Sequence, residues 1–123
     1  MTTKQKKILQ KLEAQGHSIS TKKDITTLNG LVNQANHQQH QVVVFEIQRL
    51  KDPSSIPFLR KALENGFEMY KYTCSDDDVI AKWFSWALYS IGNEEAIQVI
   101  KDFSTSENAL VANGMKYRLS KIK

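Results

Sequence analysis

The chain has 123 residues, 41% of them apolar, enough for one domain with a real core and too few for two. Its longest apolar stretches, such as residues 42–45, fall far short of the roughly 20 that span a bilayer, and the start Met1-Thr2-Thr3-Lys4 has no apolar signal core; the expectation is a soluble, cytoplasmic protein with no membrane partner. The net charge of +4 divides unevenly, with six lysines against Glu13 and Asp24 in residues 1–24 but Asp76, Asp77, Asp78, Glu94 and Glu95 against Lys82 in residues 76–100, which argues against a uniform phosphate-binding surface.

Residues 3–15 place Ile8, Leu9 and Leu12 on one stripe and meet Gly16, predicting a lysine-rich amphipathic helix with a left-handed stop. After the polar stretch 17–23, Ile25, Leu28, Leu31 and Val32 recur at helical spacing and predict a second helix, weakened by Gly30 and followed by a polar segment over 33–41. From about His40 to Lys51, Val43, Val44, Ile47 and Leu50 repeat at three- and four-residue intervals; the valines resemble a strand, but the continuation favours a buried helix. Asp52-Pro53 is the sharpest boundary, because the carboxylate can accept from free first-turn amides and proline sits where no amide is needed. The helix it opens carries Ile56, Leu59 and Leu63 and stops at Asn65-Gly66.

The aromatic-rich residues 67–74 read equally as a helix extension or a packed loop. Ser75 with Asp78 resembles a capping box for a helix through Ile80, Phe84, Ala87, Leu88 and Ile91 to Gly92. Asn93 should cap a short helix bearing Ala96, Ile97 and Ile100, and Ser104 with Glu107 repeats the capping box before a last helix with Leu110, Val111, Met115, Leu119 and Ile122. The expected fold is therefore all-α, with about seven helices and no strand.

Self-similarity sharpens this expectation. Residues 50–59 align with residues 91–100 at a spacing of 41, placing Leu50-Lys51-Asp52-Pro53 against Ile91-Gly92-Asn93-Glu94. Ile47 and Leu50 correspond to Leu88 and Ile91 and then to Leu119 and Ile122, with Phe84 matched by Met115; the second spacing is 31, so the middle unit carries an insertion of about ten residues near 67–74. These motifs resemble HEAT repeats, particularly the short bacterial type in which a Leu/Ile-Gly turn precedes an Asp-Pro or Asn-Glu start and an Ala-Ile or Ser-Ile pair. The resemblance implies a short right-handed α-α superhelix over one domain, 1–123: a lysine-rich helix and linker in 1–24, then approximate repeats 25–65, 66–103 and 104–123. Such arrays resemble scaffolds that bind proteins or, less often, nucleic acids.

No arrangement points to catalysis or to a cofactor. His37 and His40 are three residues apart, but no carboxylate or cysteine completes a ligand set, so no metal site is expected. Cys74 is the lone cysteine, consistent with a reducing compartment, and no nucleophile elbow or triad stands near it. Gly16, Gly30, Gly66, Gly92 and Gly114 are too scattered for a phosphate cradle.

The candidate partner-binding residues are Tyr70, Tyr72, Trp83 and Trp86, with Tyr89 beside them, together with Asp76, Asp77, Asp78, Glu94 and Glu95. Trp83 and Trp86 lie one helical turn apart, off the Phe84 and Leu88 stripe, so at least one should reach the surface. A run of three aspartates exceeds what a helix start needs and could steer a basic partner. A small HEAT-like chain without a catalytic set also resembles bacterial immunity proteins of contact-dependent inhibition and related toxin systems. That resemblance implies a cognate toxin domain as partner, possibly a nuclease, and no small-molecule substrate. The alternatives are a nucleic-acid-associated module, with the N-terminal lysines and Lys116, Arg118, Lys121 and Lys123 gripping phosphates, or a general adaptor.

Overall fold

A computed structural model describes residues 1–16 and 18–122. Among them are seven α-helices: α1 (Thr3–Gln15), α2 (Ile25–Val32), α3 (His40–Leu50), α4 (Ile56–Asn65), α5 (Asp77–Ile91), α6 (Glu94–Phe103) and α7 (Ala109–Leu119). No strand occurs among the described residues, so the fold is all-α. Helices α2, α4 and α6 pack in one layer and α3, α5 and α7 in another, with α2 against α3, α4 against α5 and α6 against α7; α1 covers α2. One apolar core runs through both layers, from Leu9 and Leu28 through Ile47 and Leu59 to Phe84, Ile100 and Met115.

Short-range chemistry sets the helix ends. Thr2 accepts from the Gln5 amide while the Gln5 side chain accepts from Thr2 N–H, closing a capping box on α1. Asp52 Oδ1 accepts from Ser54 N–H at 2.9 Å ahead of a 3-10 turn (Pro53–Ser55) that leads into α4. Asn93 Oδ1 accepts from Ala96 N–H at 2.8 Å at the start of α6. The residues before these two caps also correspond, since Lys51 (φ 57) and Gly92 (φ 73) both take the left-handed conformation that ends the preceding helix. The aligned segments thus share a backbone turn as well as a residue pattern.

Two helix starts differ from expectation. Asp76, not Ser75, precedes α5, and no side-chain capping bond forms there. Ser104 ends α6, where its hydroxyl donates to Lys101 O, and Asn108 caps α7 by accepting from Leu110 and Val111 N–H. A longer connection, from Ser104 to Asn108, leaves Glu107 outside the helix, so the Ser104–Glu107 box does not form. Residues 67–74 resolve as a 3-10 stretch over Glu68–Thr73 ending at left-handed Cys74.

Polar contacts pin the layers. Glu46 on α3, fully buried, accepts from Ser18, Ile19 and Ser20 N–H at 3.0–3.1 Å, from Ser20 Oγ at 2.8 Å and from Arg49 Nε at 3.0 Å, so one carboxylate organises the loop before α2. Burial alone would raise its pKa; the bonds from Arg49, Ser20 and Ser18 outweigh that and hold it down to about 2. At the other end, α7 approaches α5 so closely that a Cβ on Gly114 would lie 2.7 Å from Ala81 Cβ and 3.0 Å from Asp78 O. Among the described residues, no helix is long and apolar enough to cross a membrane.

Candidate functional site

The layer formed by α3, α5 and α7 carries an open groove of about 360 Å³. Phe45 from α3 and Trp83 and Trp86 from α5 form its apolar walls, Lys82 and Arg118 supply its cations, and Gln41 and Gln48 line the α3 side. The helical period explains the convergence: Phe45 falls off the α3 core stripe of Val43, Val44, Ile47 and Leu50, and Trp86 falls off the α5 stripe of Ile80, Ala81, Phe84 and Leu88. Phe45 is 38% and Trp86 42% exposed, large apolar areas to leave in water, whereas Trp83 is half-buried.

Arg118 is the most constrained member, only 5% exposed. Its guanidinium carbon sits 4.1 Å from the Trp86 ring centre, with Tyr117 and Tyr89 at 5.4 and 5.7 Å, and its Nε donates to Ser85 Oγ at 3.4 Å. Burial lowers its pKa from the usual arginine value, partly countered by the neighbouring Tyr117 and Tyr89. Neither Arg118 nor Lys82 pairs with a carboxylate among the described residues, and no acidic residue lines the groove. Lys82 and Lys121 flank the exposed Tyr117 ring, at 5.0 and 5.3 Å from its centre.

The groove continues past Gln41 and Phe45 into a second depression of about 520 Å³ lined by Gln38, Gln39, Val42, Tyr72 and Thr73. Tyr72 is fixed there by His40, whose backbone N–H donates to the Tyr72 hydroxyl at 2.9 Å and whose Nδ1 lies 2.8 Å from it. The His40 Nε2 meets Gln34 O at 2.6 Å, and the His37 ring, stacked on His40 at 3.9 Å, meets Leu31 O and Gln39 N–H. Both imidazoles thus face hydrogen-bond partners at every ring nitrogen. Burial, countered in part by the Gln34 carbonyl and reinforced by His37, lowers the His40 pKa to about 4. No group of three or more metal-ligating residues occurs among the described residues.

The sequence-derived candidates divide. Tyr72, Trp83 and Trp86 lie along the two depressions. Tyr70 does not: it is 1% exposed, its hydroxyl donates to Val32 O at 3.1 Å, and it packs beside Phe84, so it is corrected to a core residue. The acidic residues do not gather into one patch. Asp76, Asp77 and Asp78 stand at the start of α5, while Glu94 and Glu95 follow its end, and a 15-residue helix places these groups about 22 Å apart. Asp77 is also engaged by Asn108 Nδ2 at 2.9 Å.

The basic residues of the alternative reading are separated too. Lys4, Lys7 and Lys11 lie on α1, which packs on α2, whereas Lys116 and Arg118 lie on α7 at the far end of the helix order. Lys123 falls outside the described residues. Sequence reasoning names Arg118 only as a phosphate-gripping residue of the alternative reading and does not name Phe45, which is detectable as an aromatic off its core stripe. No family model, curated protein or solved structure matches the chain.

Proposed function

We propose that this chain is a non-enzymatic, cytoplasmic binding module of HEAT-like helix pairs in a short right-handed superhelix, and that it acts as an immunity protein, neutralising a cognate bacterial toxin domain by direct contact. The observation that carries the binding reading is the convergence of Phe45, Trp83, Trp86 and Arg118, from three helices, on one open groove. Tryptophan, tyrosine and arginine are the residues on which interface energy concentrates, above all when seated together in a recess. Leaving such rings exposed costs solubility without adding to the core, which favours a partner that covers them.

The test begins with capture of the tagged protein from its own cells, with and without nuclease, followed by expression of each captured domain in a sensitive host. A domain that stops growth alone and is harmless when co-expressed with this chain supports immunity. Captured domains that are harmless by themselves overturn it and leave an adaptor. A second reading, association with nucleic acid, draws on a different surface: Lys4, Lys7, Lys11 and Lys23 line a depression of about 630 Å³ between α1 and the start of α2. Material released by nuclease and by added salt would favour it.

A further inference from the structure

Resting on the protein-binding reading, we infer that the groove between α3, α5 and α7 takes a carboxylate side chain of the partner, presented on an extended acidic and apolar segment. Arg118 is 5% exposed as a residue, and inside the protein its guanidinium meets only the Trp86, Tyr117 and Tyr89 rings and one long bond to Ser85 Oγ, which leaves most of its donor capacity for the groove. The remaining N–H donors of Arg118 have no protein acceptor among the described residues, and the side chain lines the groove. Their planar fork matches the two oxygens of a carboxylate. Lys82 adds a second positive charge in the same recess, with no acidic residue among the described lining to neutralise either.

The continuation of the groove decides between a peptide and a nucleic acid. A nucleic-acid strand needs cations repeated along its phosphates. Beyond Phe45 the described lining becomes Gln38, Gln39, Val42, Tyr72 and Thr73, with no cation among these residues. Tyr72, Thr73 and the Gln39 side-chain N–H are held by His40, Tyr70 and Leu9, which leaves the side-chain amides of Gln38, Gln41 and Gln48 along the trough to offer both donors and acceptors to a peptide backbone. One anchored charge followed by a neutral trough therefore fits an acidic peptide segment.

Both tryptophans of the chain line the groove, so emission from the intact protein reports its occupation directly. Titration with poly-L-glutamate, poly-L-lysine and oligothymidylate is the test, on wild type, R118M, R118K and K4E/K7E/K11E, each verified as folded by its thermal transition. The inference expects a saturable emission change with poly-L-glutamate alone, weakened at least about tenfold in R118M, less in R118K, which keeps the charge but loses the fork, and retained in K4E/K7E/K11E. An unchanged emission, an equal response in R118M, or tighter binding of oligothymidylate overturns it. If poly-L-glutamate fails while a captured toxin domain still depends on Trp86, the carboxylate assignment falls and the immunity reading stands; if the emission responds but no captured domain is toxic, the reverse holds.

Discussion

The Arg118 guanidinium lies 4.1 Å from the centre of the Trp86 ring, joining the last helix to the fifth at the floor of the groove. The stack holds a charge where an apolar side chain would satisfy the fold. Replacing Arg118 with methionine removes the cation but also its desolvation cost, and buried charges exchanged for apolar side chains of similar volume are often neutral or stabilising. R118M should therefore unfold in urea within about 1 kcal/mol of wild type, or later. Alanine at this position, which opens a hole beside Trp86 and Ser85, should lose about 2 kcal/mol.

Gly114 and Ala81 set the spacing of α7 on α5. Alanine normally gains about 1 kcal/mol over glycine inside a helix, but here the added methyl would meet Ala81 Cβ at 2.7 Å and the Asp78 carbonyl at 3.0 Å. G114A is expected to destabilise by about 1–3 kcal/mol. The double variant G114A/A81G should recover part of that loss, since it removes one of the two clashes; chemical denaturation of the single and double variants measures the coupling.

Lys51 and Gly92 occupy equivalent left-handed turns. A side chain is strained there and glycine is not, so K51G should stabilise by about 0.5–1 kcal/mol, whereas G92A should destabilise, its new Cβ also lying 3.3 Å from Tyr89 O. Opposite shifts in melting temperature would verify that the two turns are structural counterparts.

Acid should act in two steps. His40 has its folded pKa lowered to about 4 from 6.5, so the unfolded chain takes up the proton first, and stability falls as pH drops from 6.5 towards 4. Glu46 is held at about 2 against an ordinary 4.5; its contribution is complete above 4.5 and is lost as pH falls through 2. H40Q should reduce the upper limb to what His37, whose pKa burial also lowers, contributes, and leave the lower one. E46Q should flatten the lower limb and cost about 2 kcal/mol at neutral pH, because three backbone amides lose a charged acceptor. Denaturant midpoints measured from pH 7 to pH 2 separate the two limbs.

The fold was legible where a single residue type carries the geometry. Gly16, Gly92 and Asn93 mark helix ends where they stand, although Gly16 closes α1 at φ 83 and ψ −132 rather than in the left-handed conformation, and Asp52-Pro53 opens the 3-10 turn from which α4 continues at Ile56. Ser104 and Ser75 misled because a hydroxyl can serve the end of one helix as readily as the start of the next; the Ser104 hydroxyl bonds backwards to Lys101 O. Tyr70 lies in a 3-10 stretch that does not follow the α-helical period, so no local pattern in the sequence marks its ring as turned inward. The groove needs three helices brought side by side, a relationship no window of sequence contains. What could be read was each component separately: an off-stripe Phe45, and two tryptophans a turn apart.

The most direct measurement of the central claim is quantitative affinity capture with four baits: wild type, W86A, D76K/D77K/D78K and K4E/K7E/K11E. A partner engaged through the groove is lost from W86A by about thirtyfold or more, as expected when an interface tryptophan worth about 2 kcal/mol or more is removed, and is retained by the lysine-reversed bait. If the partner is basic outside the segment that enters the groove, the aspartate-reversed bait should capture it more slowly but reach a similar final level. A partner held equally by W86A and wild type, or released by nuclease, would contradict the account.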